Sequence, residues 1–119
     1  MTTYFQKKLE KTILEPIEIE GCKVYVGKNN RQNDLIVSKL SRDEDLWFHT
    51  KDCAGSHVLL KCENPSDNMI LECAKLAKKY SKGSLSSKVG VIYTKRKYLK
   101  KPPKANLGYV TYKNEREII

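Results

Sequence analysis

Val26-Gly27-Lys28-Asn29-Asn30-Arg31-Gln32-Asn33-Asp34 decides how the fold is read, because it joins a strand to a helix through a single glycine. Val24 and Val26 alternate with Lys23 and Tyr25, as a strand with one buried face requires. Gly27 ends that strand. Asn29 or Asn30 then offers a side-chain oxygen to the orphan N–H groups of a helix start. The helix is predicted to run to about Leu40, burying Leu35, Ile36 and Leu40 or their neighbours.

Upstream, Ile17 and Ile19 face Val24 and Val26 across a Glu20-Gly21 turn, the pattern of a β-hairpin. Residues 1–16 read as an N-terminal arm in which Tyr4, Phe5, Leu9, Ile13 and Leu14 are spaced by charges and Pro16 is the stop. Downstream, Leu46-Trp47-Phe48-His49 and His57-Val58-Leu59-Leu60 are strands around a loop at Gly55. Ser66 caps a second helix, in which Met69, Ile70, Cys73, Leu76, Ala77 and Tyr80 recur at helical spacing. Val89, Val91 and Tyr93 mark another strand, with closing strands at Gly108–Thr111 and Glu115–Ile119. Pro102-Pro103 keeps the basic stretch Lys95–Lys104 extended and out of a central strand. The order β-β-α-β-β-α-β-β predicts one α+β domain over residues 17–119, a mixed or antiparallel sheet with two main helices packed on it.

At 119 residues the chain can bury one core without staples. No apolar run approaches the ~20 residues of a membrane span, and residues 1–8 have no apolar signal core. A cytoplasmic protein with no membrane partner is expected. Cys22, Cys53, Cys62 and Cys73 form no CxxC pair and stand at no zinc spacing from His49 or His57. Four free thiols, no metal and no cofactor are therefore expected.

The net charge of +9 is unevenly placed. Between Glu72 and Glu115 there is no acidic residue and there are twelve basic ones, while the remainder carries eleven basic against fourteen acidic. A solvated face is the plain explanation of such a run. Unbalanced cations also repel one another, and a polyanion relieves the repulsion with release of its counterions.

Three clusters could carry chemistry. At the strand-to-helix junction, Lys28, Asn29, Asn30, Arg31 and Gln32 combine charge with amides that could meet phosphate or bases, or they simply cap the helix. The GKNN string lacks the second glycine and the GK[ST] end of a phosphate-binding loop. In the loop, His49, Lys51 and His57 could touch RNA, or the histidines could be satisfied in the core. With Asp52 they could also act on RNA, but Ser56 sits in no GxSxG elbow, so no catalytic residue is assigned and an enzyme is not expected. In the third cluster Lys95, Arg96, Lys97, Lys100, Lys101 and Lys104 flank Tyr98. Cations for phosphates beside an aromatic face for a base suit a single strand. Lys82 extends that patch.

Residues 26–61, VGKNNRQNDLIVSKLSRDEDLWFHTKDCAGSHVLLK, resemble the core of the NFACT-R family, G-(R/K)-N-x-x-Q-N-D, D-(L/I)-W-(F/L)-H and P-G-S-H-V. The later strings KVGVIYT and KPPKANLGYVTY are similar to it too. Ala54 stands where the family usually has proline, which leaves the loop less rigid. The resemblance implies an RNA-binding module with the large ribosomal subunit or tRNA as partner, in ribosome quality control or translation. It also implies that a larger translation or RNA-modification complex is a possible setting. The chain would be a free-standing relative or a fragment of a larger factor. The family's older description as fibronectin-binding gives protein binding as the alternative.

Overall fold

The computed structural model describes residues 14–86 and 88–118. Most of the expected arm, with Tyr4, Phe5, Leu9 and Ile13, lies outside them. β1 (Ile17–Ile19) and β2 (Cys22–Val26) form the hairpin, with Glu20 at φ 49° and Gly21 at φ 81°. Two consecutive left-handed residues give the turn the twist that matches its strands. α1 (Asn30–Leu35) follows and widens into a π-turn over Ile36–Leu40. Then come β3 (Leu46–Thr50), β4 (Val58–Lys61), α2 (Asp67–Lys79) and β5 (Val91–Lys95). β6 (Leu99–Lys100) and β7 (Thr111–Tyr112) make a small separate ladder, and β8 (Arg116–Ile118) returns to the main sheet.

The main sheet has six strands in the order β1-β2-β4-β3-β5-β8, and every neighbouring pair is antiparallel. The expected α+β class holds, and the mixed alternative drops out. Alternation along the paired strands gives two buried faces. Val24, Leu60, Val58, Phe48 and Val91 share one face and pack against Met69, Cys73, Ala74 and Ala77 of α2. Trp47 and Ile92 point the other way, toward Val37 of the π-turn and Leu99 of β6. The central strand β4 is covered on both sides, so Val58-Leu59-Leu60 is an unbroken apolar run, all 1% exposed or less.

Three parts of the sequence reading need correction. The first helix reaches Leu40 as expected but not as one α-helix, and it buries Ile36 and Val37 rather than Leu35 and Leu40, which stay half-buried. Its widened end leaves carbonyls that cations from elsewhere satisfy. Lys61 Nζ donates to Leu40 O at 2.8 Å, and Arg96 Nε donates to Val37 O at 3.0 Å. The stretch 95–104 is not a continuous extended ribbon either. Arg96–Tyr98 closes a 3-10 turn, Leu99 is buried, and Pro102-Pro103 stands just before Lys104 in a turn at φ 61°. Gly108–Val110 is not a strand, and β7 pairs with β6, not with the main sheet. The reason is tertiary: Arg96 is drawn inward to the π-turn, so the chain cannot continue straight.

Gly27 is needed for close approach, not for an unusual backbone angle. A Cβ there would lie 2.1 Å from Asn33 Oδ1 and 3.0 Å from Asn33 N. Asn33 Oδ1 accepts from His57 N at 3.1 Å in a buried setting. Gly27→Ala is therefore expected to displace Asn33 and leave that N–H unpaired, lowering the unfolding free energy by about 2–4 kcal/mol. Urea denaturation reads this directly. In the Gly27→Ala, Asn33→Ala double variant the two losses should be less than additive, because the clash needs both side chains.

Candidate nucleic-acid interface

The strand-to-helix junction forms one wall of an open hollow of about 360 Å³. Lys28, Asn29 and Asn30 stand on that wall, residues 54–56 form the second, and Tyr80, Ser81 and Lys82 at the end of α2 form the third. The junction is held by a reciprocal cap. Asn29 Oδ1 accepts from Gln32 N at 2.8 Å, and Gln32 Oε1 accepts from Lys28 N at 3.0 Å. The side-chain oxygens of Asn29 and Gln32 are thus used locally, whereas each amide NH2 remains a donor. The other two walls are stitched by backbone bonds, Lys82 N to Ala54 O at 2.9 Å and Ser56 N to Tyr80 O at 3.3 Å. A Cβ on Gly55 would meet Ser81 Cβ at 2.8 Å, so the walls touch only because residue 55 is glycine.

Charge gathers here around one ring. Lys28 Nζ lies 5.2 Å and Lys79 Nζ 5.4 Å from the centroid of Tyr80. Lys28, Lys79 and Lys82 are exposed, and none pairs with an acid among the described residues. Tyr80 was missed as a site residue because its spacing placed it on the apolar stripe of α2. The signal was nevertheless present: Lys78-Lys79-Tyr80-Ser81-Lys82 sets an aromatic among cations, as Lys97-Tyr98 does.

The remaining expected site residues, other than Lys82, do not line this hollow. Lys95 and Lys97 both reach Glu44, at 2.8 and 2.9 Å, and hold its carboxyl down at about 2. Arg96 Nε also donates to Ser41 Oγ at 2.8 Å, so its one N–H is shared between two partners in the fold. Lys101 pairs with Asp34, and Lys51 with Glu117 at 3.2 Å. Arg31, Lys100 and Lys104 are exposed without an ion pair to another described residue. Tyr98 lies beneath Lys97 and Lys113, at 5.5 and 6.0 Å.

His49 and His57 come together with Trp47 on the far side of the 53–57 loop. Trp47 and His49 stack at 5.7 Å and 6°, and His57 stands edge-on to both at 5.3 Å. Burial pushes the His57 imidazolium down to about 3, with help from His49. Burial also lowers His49, against hydrogen bonds to the backbone of Thr50 and Gly55. Both rings are neutral at pH 7 and cannot serve as cations for phosphate. Asp52 lines a hollow with both histidines, but among the described residues no three His, Cys, Asp or Glu side chains converge on a metal position. No described helix is long and apolar enough to cross a membrane.

The fold of this chain is shared by a solved structure. That structure is the C-terminal part of the fibronectin/fibrinogen-binding protein from Streptococcus suis, with TM-score 0.81 and 36% identity, covering 88% of this chain and 44% of that one. The chain belongs to the NFACT protein RNA binding domain family, whose model matches residues 1–114. It is 40% identical to the Rqc2 homolog RqcH of Bacillus subtilis over 95% of its length, and spans 20% of that relative. It is also 36% identical to a coiled-coil domain-containing protein 25 homolog of Dictyostelium discoideum, over 79% of this chain and 48% of that protein.

The buried neutral His57 has a consequence for stability. The unfolded chain takes up a proton near pH 6.5, and the fold resists it until about 3. Stability should therefore be full above pH 6.5 and decline as pH falls. The His57 share of the loss is about 2–3 kcal/mol by pH 4.5. Urea titrations at pH 7.5 and 4.5 test this, and His57→Gln should flatten the difference.

Proposed function

We propose that the chain is a module that grips structured RNA, of the large ribosomal subunit or tRNA, within ribosome quality control or translation. The observation that carries this reading is the cationic hollow: Lys28 and Lys79 at Tyr80, with Lys82 on the same rim. A phosphate there meets cations, and the Asn29 amide on the same wall can donate. Membership of an RNA-binding family and the likeness to RqcH support the same conclusion. No catalytic group is needed for it.

The hollow must act through phosphate, so binding should weaken steeply with salt. Lys28→Ala with Lys82→Ala should reduce the slope of log affinity against log salt by about 1.4–1.8, with the urea midpoint unchanged. Arg96→Ala should do the reverse, destabilising the fold by about 1–3 kcal/mol with little change in slope. If the lysine pair leaves the slope untouched while RNA still binds, the hollow is not where phosphate is held. Crosslinking the tagged protein in cells and sequencing the attached RNA separates ribosomal RNA from tRNA.

A further inference from the structure

Across the 53–57 loop from the cationic hollow lies another of different chemistry, about 260 Å³ in volume. Its lining includes Trp47, His49, His57, Tyr109 and Tyr112. It is smaller than the ~300–1,000 Å³ of pockets for drug-sized ligands, a scale that suits one flat ring system. Trp47 and His49 form a stacked pair, and Tyr112 leans on Trp47 at 5.7 Å. Tyr109 and Tyr112 are 57% and 39% exposed, an unusual state for two neighbouring aromatics unless something covers them.

Two polar atoms at this hollow want a partner. Trp47 Nε1 and His57 Nδ1 are buried and have none among the described residues, and their side chains are themselves almost wholly buried. Native folds seldom leave such atoms unpaired. The indole N–H is a donor. The His57 Nδ1 is an acceptor when the ring proton sits on the other nitrogen. One donor and one acceptor beside stacked rings match the mixed edge of a nucleobase.

The surroundings match the rest of a nucleotide. Tyr112 also borders a neighbouring hollow of about 300 Å³, whose lining includes Lys97, Tyr98, Lys100 and Lys113. An aromatic wall thus passes directly into a cationic one, the alternation by which single strands are held.

We propose that the Trp47–His49–Tyr109 hollow takes one unpaired nucleobase of a single-stranded RNA segment, with the adjoining phosphate on Lys100 and Lys113. The proposal rests on the RNA reading above and adds a base site separate from the cationic hollow at Tyr80.

Trp47 is the only tryptophan in the chain, so its emission reports on this hollow alone. The intact chain would be titrated with a short single-stranded oligoribonucleotide and with an abasic copy of equal length and charge. Anisotropy of the labelled strands gives affinity, and Trp47 emission gives occupancy. The base-bearing strand should bind and change the emission, while the abasic strand binds more weakly and leaves it unchanged. Tyr109→Ala, on an exposed side chain, should weaken the base-bearing strand about tenfold and leave the abasic strand unaffected. Equal affinities with silent tryptophan emission would overturn the base site and leave phosphate gripping intact. No binding of either strand would also overturn the base site, while the salt titration with structured RNA tests the cationic hollow separately. An emission change with an apolar tripeptide but not with RNA would reassign the hollow to a protein partner.

Discussion

The buried amide of Asn33 is the contact on which the rest of the molecule depends. Its oxygen accepts from His57 N and lies so near Gly27 that no Cβ would fit there, and its Cβ lies against Gly108. One side chain therefore fixes the exit of β2, the start of α1, the entry to β4 and the 106–109 turn. A buried N–H left unpaired is costly, so the arrangement tolerates little slack. Both hollows described above border these segments, one on each side of the 53–57 loop.

Around that knot the excess charge divides into two populations. Some cations maintain the fold: Lys61 and Arg96 cover carbonyls of the π-turn, Lys101 ties the β6–β7 ladder to Asp34, and Lys95 and Lys97 share Glu44. Exposed pairs of this last kind contribute little stability, but they do lower the charge offered to a ligand. Others remain exposed beside aromatic rings, Lys28 and Lys79 at Tyr80 and Lys113 at Tyr98. A count of lysines along the chain cannot distinguish the two populations, because acids distant in sequence meet them only after folding.

The histidines show the same divide from the opposite direction. As residue types they suggest proton transfer, metal binding or phosphate contact. In the fold His49 stacks on Trp47, His57 stands edge-on to it, and both remain neutral as part of an aromatic wall. Their value lies in ring faces and hydrogen-bonding edges, which burial preserves, rather than in charge, which burial removes.

The sequence by itself determined the elements and much of their order. Alternation at Val24–Val26, the glycine in the Glu20-Gly21 turn, the Asn29 cap and the Ser66 cap with its apolar stripe are local patterns, enforced by backbone sterics and orphan N–H groups. It also located the strand-to-helix junction as a site of interest and the uneven placement of charge. Only the tertiary structure decided the strand order β1-β2-β4-β3-β5-β8, the partners of Lys95 to Lys101, the inward turn at Arg96 and the meeting of Tyr80 with Lys28. Those contacts join residues tens of positions apart. Periodicity and capping reach only a few residues along the chain, and nothing in them encodes which distant acid or carbonyl a cation will find.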